Sequence, residues 1–475
     1  MKNQKQLMMV FTALTLFSNH AFAEMKLSDY LKEVEEKNHT ILASKKTLDG
    51  LTNRASEGKL VFRPTIYAQG QTAIDKKPTT NVNAQGDRTD NTFGTVGLMQ
   101  QFDFGLKGKL GYTLSHTQIY NASSNFLAVP DFHDSQVALE LSQSLWRNFY
   151  GIESRAQETL LTADVQAKKF IEDYKVKNIL SSAESVFWSL SQMKKMVQVQ
   201  KESLDRAKKI KAWAERRLAT GLGEESDLLQ SDANVKFREY ELKTTEQQLL
   251  NLNRTFNSLR GVDSNIVSDS LEEVKTDFVK SLKLADKAPL RSDTKAALEY
   301  EKLTKANLDL SIERNKPTLE LYGSYALNGR DPDKAEAISN GFKTDHSTTA
   351  IGIKFQAPLD FVTTNNNLQG YKQEKIAAEL TVKQKMFDQD REWNDLVTKF
   401  ENAKNNLVMV EKIEAVQKVK SVNERDRLSR GRTTTFQVLN FEQDYAQSEL
   451  LRIKSELEIL NLFAQSKTFG EGEVK

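Results

Sequence analysis

Arg217-Leu218-Ala219-Thr220-Gly221 returns 210 positions later as Arg427-Leu428-Ser429-Arg430-Gly431. Each copy interrupts a long stretch otherwise free of helix breakers. Proline falls only at 64, 78, 130, 289, 317, 332 and 358, so 131–288 and 359–475 contain none. Within 152–260 the only glycines are Gly221 and Gly223, and between Tyr371 and Phe469 the only one is Gly431. A helix interior tolerates proline least and glycine poorly. The pattern predicts two pairs of long helices, each pair reversing at a glycine.

The apolar residues have the matching period. Ala183, Val186, Leu190, Met193 and Val197 advance by three and four, and Leu204 and Ala207 resume the series after Gln200. Ala446, Leu450, Ile453, Leu457, Leu460 and Ala464 do the same near the C-terminus. Such spacing is a coiled-coil seam. A helix over 150–219 is about 100 Å long at 1.5 Å per residue, more than a compact core needs. A fibrous coiled coil would satisfy the helices alone.

Strand patterns argue for more. Val137, Leu139, Leu141 and Leu145 alternate with polar or small residues, as do Leu319, Leu321, Gly323, Tyr325 and Leu327, and then Ile351, Ile353 and Phe355. Val96, Leu98, Phe102 and Phe104 face Leu110, Tyr112 and Leu114 across Gly105-Leu106-Lys107-Gly108, which reads as a hairpin. Residues 61–74 form a weaker strand. The strands fall in two blocks, about 61–146 and 317–358, each followed by a long helical hairpin, about 150–260 and 366–469. This is an internal repeat: a first unit over 24–260, a polar and mixed linker over 261–288, a second unit over 289–470 and a tail at 471–475. Pro64 to Leu145 spans 81 residues and Pro317 to Leu359 spans 42, so the first unit carries about 39 more. That is the size of the hairpin near 93–120 with its loops.

Residues 1–23 read as a signal peptide. Lys2 and Lys5 precede an apolar run from Leu7 to Phe17, and Ala21-Phe22-Ala23 supplies the small-x-small cleavage pattern. The run is too short to span a bilayer; an uncleaved anchor is the alternative. Without the two lysines the formal charge falls from +2 to zero, which gives no field for nucleic acid or an acidic partner. Cysteine is absent, which excludes disulfides, thiolate metal sites, thiol catalysis and a lipidated cysteine. No later stretch reaches eighteen apolar residues, so membrane contact has to come from strands closed into a barrel. One chain offers four to six strands, and a closed transmembrane barrel needs at least eight. Several copies must therefore contribute.

The order of amphipathic helix, Pro-marked strand, strand end, long helix, Arg-x-x-x-Gly turn and returning helix occurs twice. It resembles the TolC family of outer-membrane efflux and secretion channels over nearly all of 24–470. Leu27-Ser28-Asp29-Tyr30-Leu31, with Asn38 and Ile41-Leu42-Ala43-Ser44-Lys45, is similar to the family's opening helix. Gln143-Ser144-Leu145-Trp146-Arg147-Asn148-Phe149-Tyr150-Gly151 is similar to its strand-to-helix junction, with Ser144 where the family has proline. The resemblance implies a mainly α protein with β structure: long antiparallel coiled-coil hairpins forming a tunnel, and strands contributed to a 12-stranded barrel by a homotrimer. It implies an outer-membrane location reaching into the periplasm, and passive conduction in a tripartite efflux pump or type I secretion system. The implied partners are outer-membrane lipid, a periplasmic adaptor (membrane fusion) protein, and an inner-membrane pump or ABC transporter. The extra hairpin either adds strands to the barrel or forms an extracellular or lumenal flap.

The resemblance also points to sites. The family's hairpin tips meet the adaptor, which implies contact at Arg217, Gly221, Leu222, Arg427, Gly431 and Arg432; helix termination alone is the other reading of these residues. Acidic rings past the tips constrict the family's pore. Asp227 matches such a position, but Gln437 and Asn440 are uncharged in the second unit. Glu224 and Glu225 either supply the charge instead or are helix-start carboxylates favoured by the macrodipole. No catalytic or cofactor motif is present, and none of His20, His39, His116, His133 and His346 has a metal-ligand partner at helical spacing, so no enzyme activity is expected. The competing function is a periplasmic coiled-coil structural or adhesive protein outside the membrane.

Overall fold

The computed structural model describes residues 24–470; the signal-peptide reading of 1–23 and the tail at 471–475 lie outside the described residues. In chain order the helices are α1 (Leu27–Lys37), α2 (His39–Asn53), α3 (Val82–Gln85), α4 (Ile152–Ala219), α5 (Glu225–Leu259), α6 (Thr276–Ser281), α7 (Ser292–Arg314), α8 (Lys334–Asn340), α9 (Phe361–Ser429) and α10 (Thr435–Ser466). The strands are β1 (Thr65–Asp75), β2 (Arg88–Gln101), β3 (Leu106–Tyr120), β4 (Asp131–Ser144), β5 (Thr318–Asp331) and β6 (Ser347–Gln356). The proline-free stretches hold the long helices: α4 runs 68 residues and α9 runs 69, followed by α5 with 35 and α10 with 32.

The chain divides into two compact units, each built from separated segments. Of the described residues, the helical unit takes 24–49, 170–294 and 386–470, and the sheet unit takes Gly50–Lys169 and Lys295–Lys385.

In the helical unit the core gathers Tyr30, Phe187, Phe256, Phe400 and Leu460, all essentially inaccessible to water. The Tyr30 and Phe256 rings stack with centroids 4.1 Å apart, and the Tyr30 hydroxyl donates to the Phe256 carbonyl at 3.1 Å. Burial pushes the Tyr30 phenol well above its ordinary pKa, so the hydroxyl stays a donor. Residues 261–288, expected as a polar linker, bury Leu271, Val274, Val279 and Leu282 in this core. The apolar positions there are spaced irregularly around the single turn and a half of α6, so no period announces them.

In the sheet unit all six strands form one antiparallel sheet in the order β1-β2-β3-β4-β5-β6. The hairpin whose place the sequence leaves open lies in this sheet, as β2 and β3. Among the described residues the sheet has six strands, where a 12-stranded trimer takes four from each copy. Side chains opposite one another in register share a face. One face carries Ile66, Leu98, Leu110, Leu139, Leu321 and Ile353, each exposed. The other carries Gln69, Thr95, Thr113, Gln136 and Asn328. α8 lies against β4 and β5 at the far end of the apolar face, where Ala337 is fully buried and Phe342 stacks on Tyr112 at 5.9 Å.

Candidate functional site: helix tips and sheet faces

The two reversals between long helices use the same backbone device. Gly221 has φ +72° and Gly431 φ +68°, the left-handed region that favours glycine. At the first turn the Leu222 amide donates to the Arg217 carbonyl at 2.9 Å and the Gly221 amide to Leu218 at 3.0 Å. At the second, the Arg432 amide donates to Arg427 and the Gly431 amide to Leu428, both at 2.9 Å. The paired bonds are a Schellman closure. Each arginine then reaches across its own turn: Arg217 Nη2 donates to the Leu222 carbonyl at 2.6 Å and Arg427 Nη2 to Arg432 at 3.4 Å. Arg217 also lies over the Trp213 ring, 5.0 Å from its centroid. The repeated Arg-x-x-x-Gly is therefore a turn staple, in which the side chain satisfies the carbonyl that the reversal leaves exposed.

The tips differ in chemistry. Leu222 projects with 71% of its surface exposed. Glu224, Glu225 and Asp227 gather at the start of α5, with Glu225 and Asp227 in its first turn, where backbone N–H groups favour negative charge. The start of α10 is capped instead by Thr434, whose hydroxyl accepts from the Gln437 amide at 3.3 Å, and both Gln437 and Asn440 are exposed. Arg430 and Arg432 add positive charge at the second turn, with Arg430 paired to Asp426 at 2.7 Å.

The sheet adds a second feature, an apolar face covered only at its far end, by α8. The edge strands β1 and β6 each have only one neighbour among the described residues. Among the described residues no helix is long and apolar enough to cross a membrane.

The whole arrangement matches solved structures. The outer membrane protein VceC of Vibrio cholerae superposes with a TM-score of 0.66 at 14% identity, over 94% of this chain and 96% of that one. The Campylobacter jejuni CmeC outer membrane channel gives 0.65 at 14%, over 94% and 85%. The open state of the Neisseria gonorrhoeae MtrE outer membrane channel gives 0.64 at 13%, over 94% and 88%. The chain has the TolC-family fold. No family model matches its sequence, and no curated protein does.

Around this TolC-like frame lie two groups that linear spacing does not reveal. Antiparallel pairing sets His116 opposite His133, with rings stacked at 4.4 Å, and His116 Nε2 lies 2.6 Å from Asp131 Oδ1. A search for helical spacing misses a cross-strand pair. No group of three or more metal-ligating residues is placed to hold an ion among the described residues. In the helical unit Arg206 of α4 meets Glu442 at 2.8 Å and Glu449 at 3.6 Å on α10, and Arg425 of α9 meets Glu442 at 3.0 Å. Burial raises the Glu449 carboxyl above its ordinary value. The signal was available: Glu442 sits four residues ahead of Ala446 on the apolar seam, where a charge requires a partner.

Proposed function

We propose that the chain is one subunit of an outer-membrane channel, closed by three copies, that passively conducts cargo delivered by an inner-membrane transporter. The observation that carries it is the sheet: one face exposes aliphatic side chains, the other is polar, and both edges are open. An apolar face at a water boundary is a liability that lipid removes. Open edges cannot remain in lipid, where each unmade backbone bond costs several kcal/mol. Further copies resolve both demands at once. The likeness to outer-membrane channels supports the same reading of the fold.

On this reading the chain consists of two repeats, 24–260 and 289–470, joined by 261–288, behind a signal peptide at 1–23. The partners are a periplasmic adaptor and an inner-membrane pump or ABC transporter of an efflux or type I secretion system. The adaptor contacts fall on the exposed tips, at Gly221, Leu222, Gly431 and Arg432, while Arg217 and Arg427 hold the turns in shape. The pore constriction draws on Glu224, Glu225 and Asp227 with neutral Gln437 and Asn440, which makes the gate acidic on alternate hairpins only. A soluble periplasmic coiled coil explains the helices but leaves the aliphatic sheet face without a role.

Cell fractionation with oligomer mass in detergent tests the proposal. The expected result is a trimer recovered from the outer membrane. A monomer in the soluble periplasmic fraction would overturn it. For the tips, replacing both Gly221 and Gly431 with bulky residues is expected to abolish export while trimers still assemble; unchanged export removes the adaptor assignment.

A further inference from the structure

We infer that the β2–β3 hairpin is a permanent part of the channel wall, so that the closed barrel has eighteen strands, six from each of three copies, joined β1 to β6. This rests on the trimeric channel reading and deepens it, naming the edges through which one copy takes the next.

The hairpin is paired along its whole length. β1 and β2 are in register from Thr65 opposite Met99 to Asp75 opposite Thr89, and β3 and β4 from Leu106 opposite Gln143 to Gln118 opposite Asp131. β1 and β4 share no ladder, so taking the hairpin out of the sheet would break both. Val96, Leu98, Leu110 and Leu114 lie on the same apolar face as Ile66 and Leu139, as a wall demands and a lumenal flap does not.

Two locks hold it there. On the polar face the Tyr67 ring of β1 lies over Gly97 and Gly111: a Cβ at Gly97 would come within 2.7 Å of the ring, and one at Gly111 within 2.3 Å of its hydroxyl. Two glycines in neighbouring strands thus make a slot for one ring. A few residues further on, the β2–β3 turn itself is seated against the strand-to-helix junction. Gly151 passes so close to the Asp103 carbonyl that no side chain fits between them, and Gln143 Nε2 donates to the Phe104 carbonyl at 3.3 Å.

The open edges fit each other. With an even number of alternating strands, β1 and β6 run in opposite directions, so a second copy continues the antiparallel ladder. Their lengths match, 11 and 10 residues, about what a tilted membrane strand needs. Their apolar residues share one face, and they are the most exposed of the sheet: Ile66 at 73% and Ile351 at 82%, against 42% for Leu139 and Leu321 on inner strands. β1 has no lysine or proline and no charge before Asp75. It lacks the devices that protect a free edge, and a second copy is the partner that fits. Because barrel diameter rises roughly linearly with strand number, the wall would be about half again as wide as a 12-stranded one.

The chain has no cysteine, so introduced pairs report cleanly. On the polar face, Gln69→Cys with Thr95→Cys is expected to close within one chain. Gln69→Cys combined in turn with Thr348→Cys, Ala350→Cys or Lys354→Cys is expected to give covalent dimers and trimers from at least one pair. Electron cryo-microscopy of the assembly in lipid nanodiscs then counts the wall, with eighteen strands expected. A trimeric channel with twelve strands, with 88–120 outside the wall and no Gln69–Thr95 closure, would overturn the inference and leave the channel reading standing. Absence of any membrane-inserted oligomer would remove both.

Discussion

Tyr67 and Gly97 make a close-fitting contact in the sheet unit. A methyl at Gly97 would meet the Leu110 carbonyl at 2.4 Å as well as the ring. Gly97→Ala is expected to destabilise the fold by about 1–3 kcal/mol, as overpacking does, and Tyr67→Ala should recover only the part owed to the ring. A double-mutant cycle by chemical unfolding checks this, and full additivity would contradict the slot. Glu153, at the start of α4, gives a pH signature. Its hydrogen bonds from Arg147, at 2.8 and 2.9 Å, hold the carboxyl below its ordinary 4.5, with Arg314 adding to the effect. The ionised form is therefore favoured in the folded chain. That stabilisation is complete above the ordinary value and is lost as pH falls through the depressed one. Glu153→Gln should thus cost stability near neutrality and progressively less toward acid. A difference from wild type that does not change with pH would contradict the pairing. Gly221 and Gly431 have open space around them, so alanine there meets only the left-handed backbone penalty, about 1–2 kcal/mol each. Faster amide exchange confined to the turn is the expected readout.

At the scale of elements, legibility followed the range of the interaction. The long helices were readable because proline and glycine exclude themselves from 152–219 and 371–429 for local reasons. The strands were readable from alternation, down to the β2–β3 turn near Gly105. What alternation does not encode is the neighbour: β2 pairs with β1 and β3 with β4 through contacts distant in sequence, and only these registers place the hairpin in the sheet. The resemblance implied four strands from each of three copies, and the sheet has six among the described residues. The tip residues were found by their repetition, but the staple made by Arg217 and Arg427 depends on side-chain reach that spacing alone leaves undefined. Residues 261–288 show the opposite failure, because a short irregular segment can fill a core without any period. Phe256 tests how much α5 depends on that core. Phe256→Ala removes a fully buried ring stacked on Tyr30 and should cost about 3–5 kcal/mol, read as a lower unfolding midpoint. A loss under about 1 kcal/mol would mean the helical unit is held elsewhere.

At the scale of the molecule, one physical demand organises the account. The sheet presents aliphatic side chains on one face and polar ones on the other, and its two edges are unmatched among the described residues. Water penalises the first and lipid forbids the second. Both are relieved when copies close the wall in a membrane, and nothing in that state calls for catalysis or a cofactor. The conduit is the central claim, and planar-bilayer recording on the detergent-purified oligomer tests it most directly. The account predicts discrete conductance steps from the trimer, absent from protein unfolded before addition. A purified, folded oligomer that never conducts across the bilayer would contradict it.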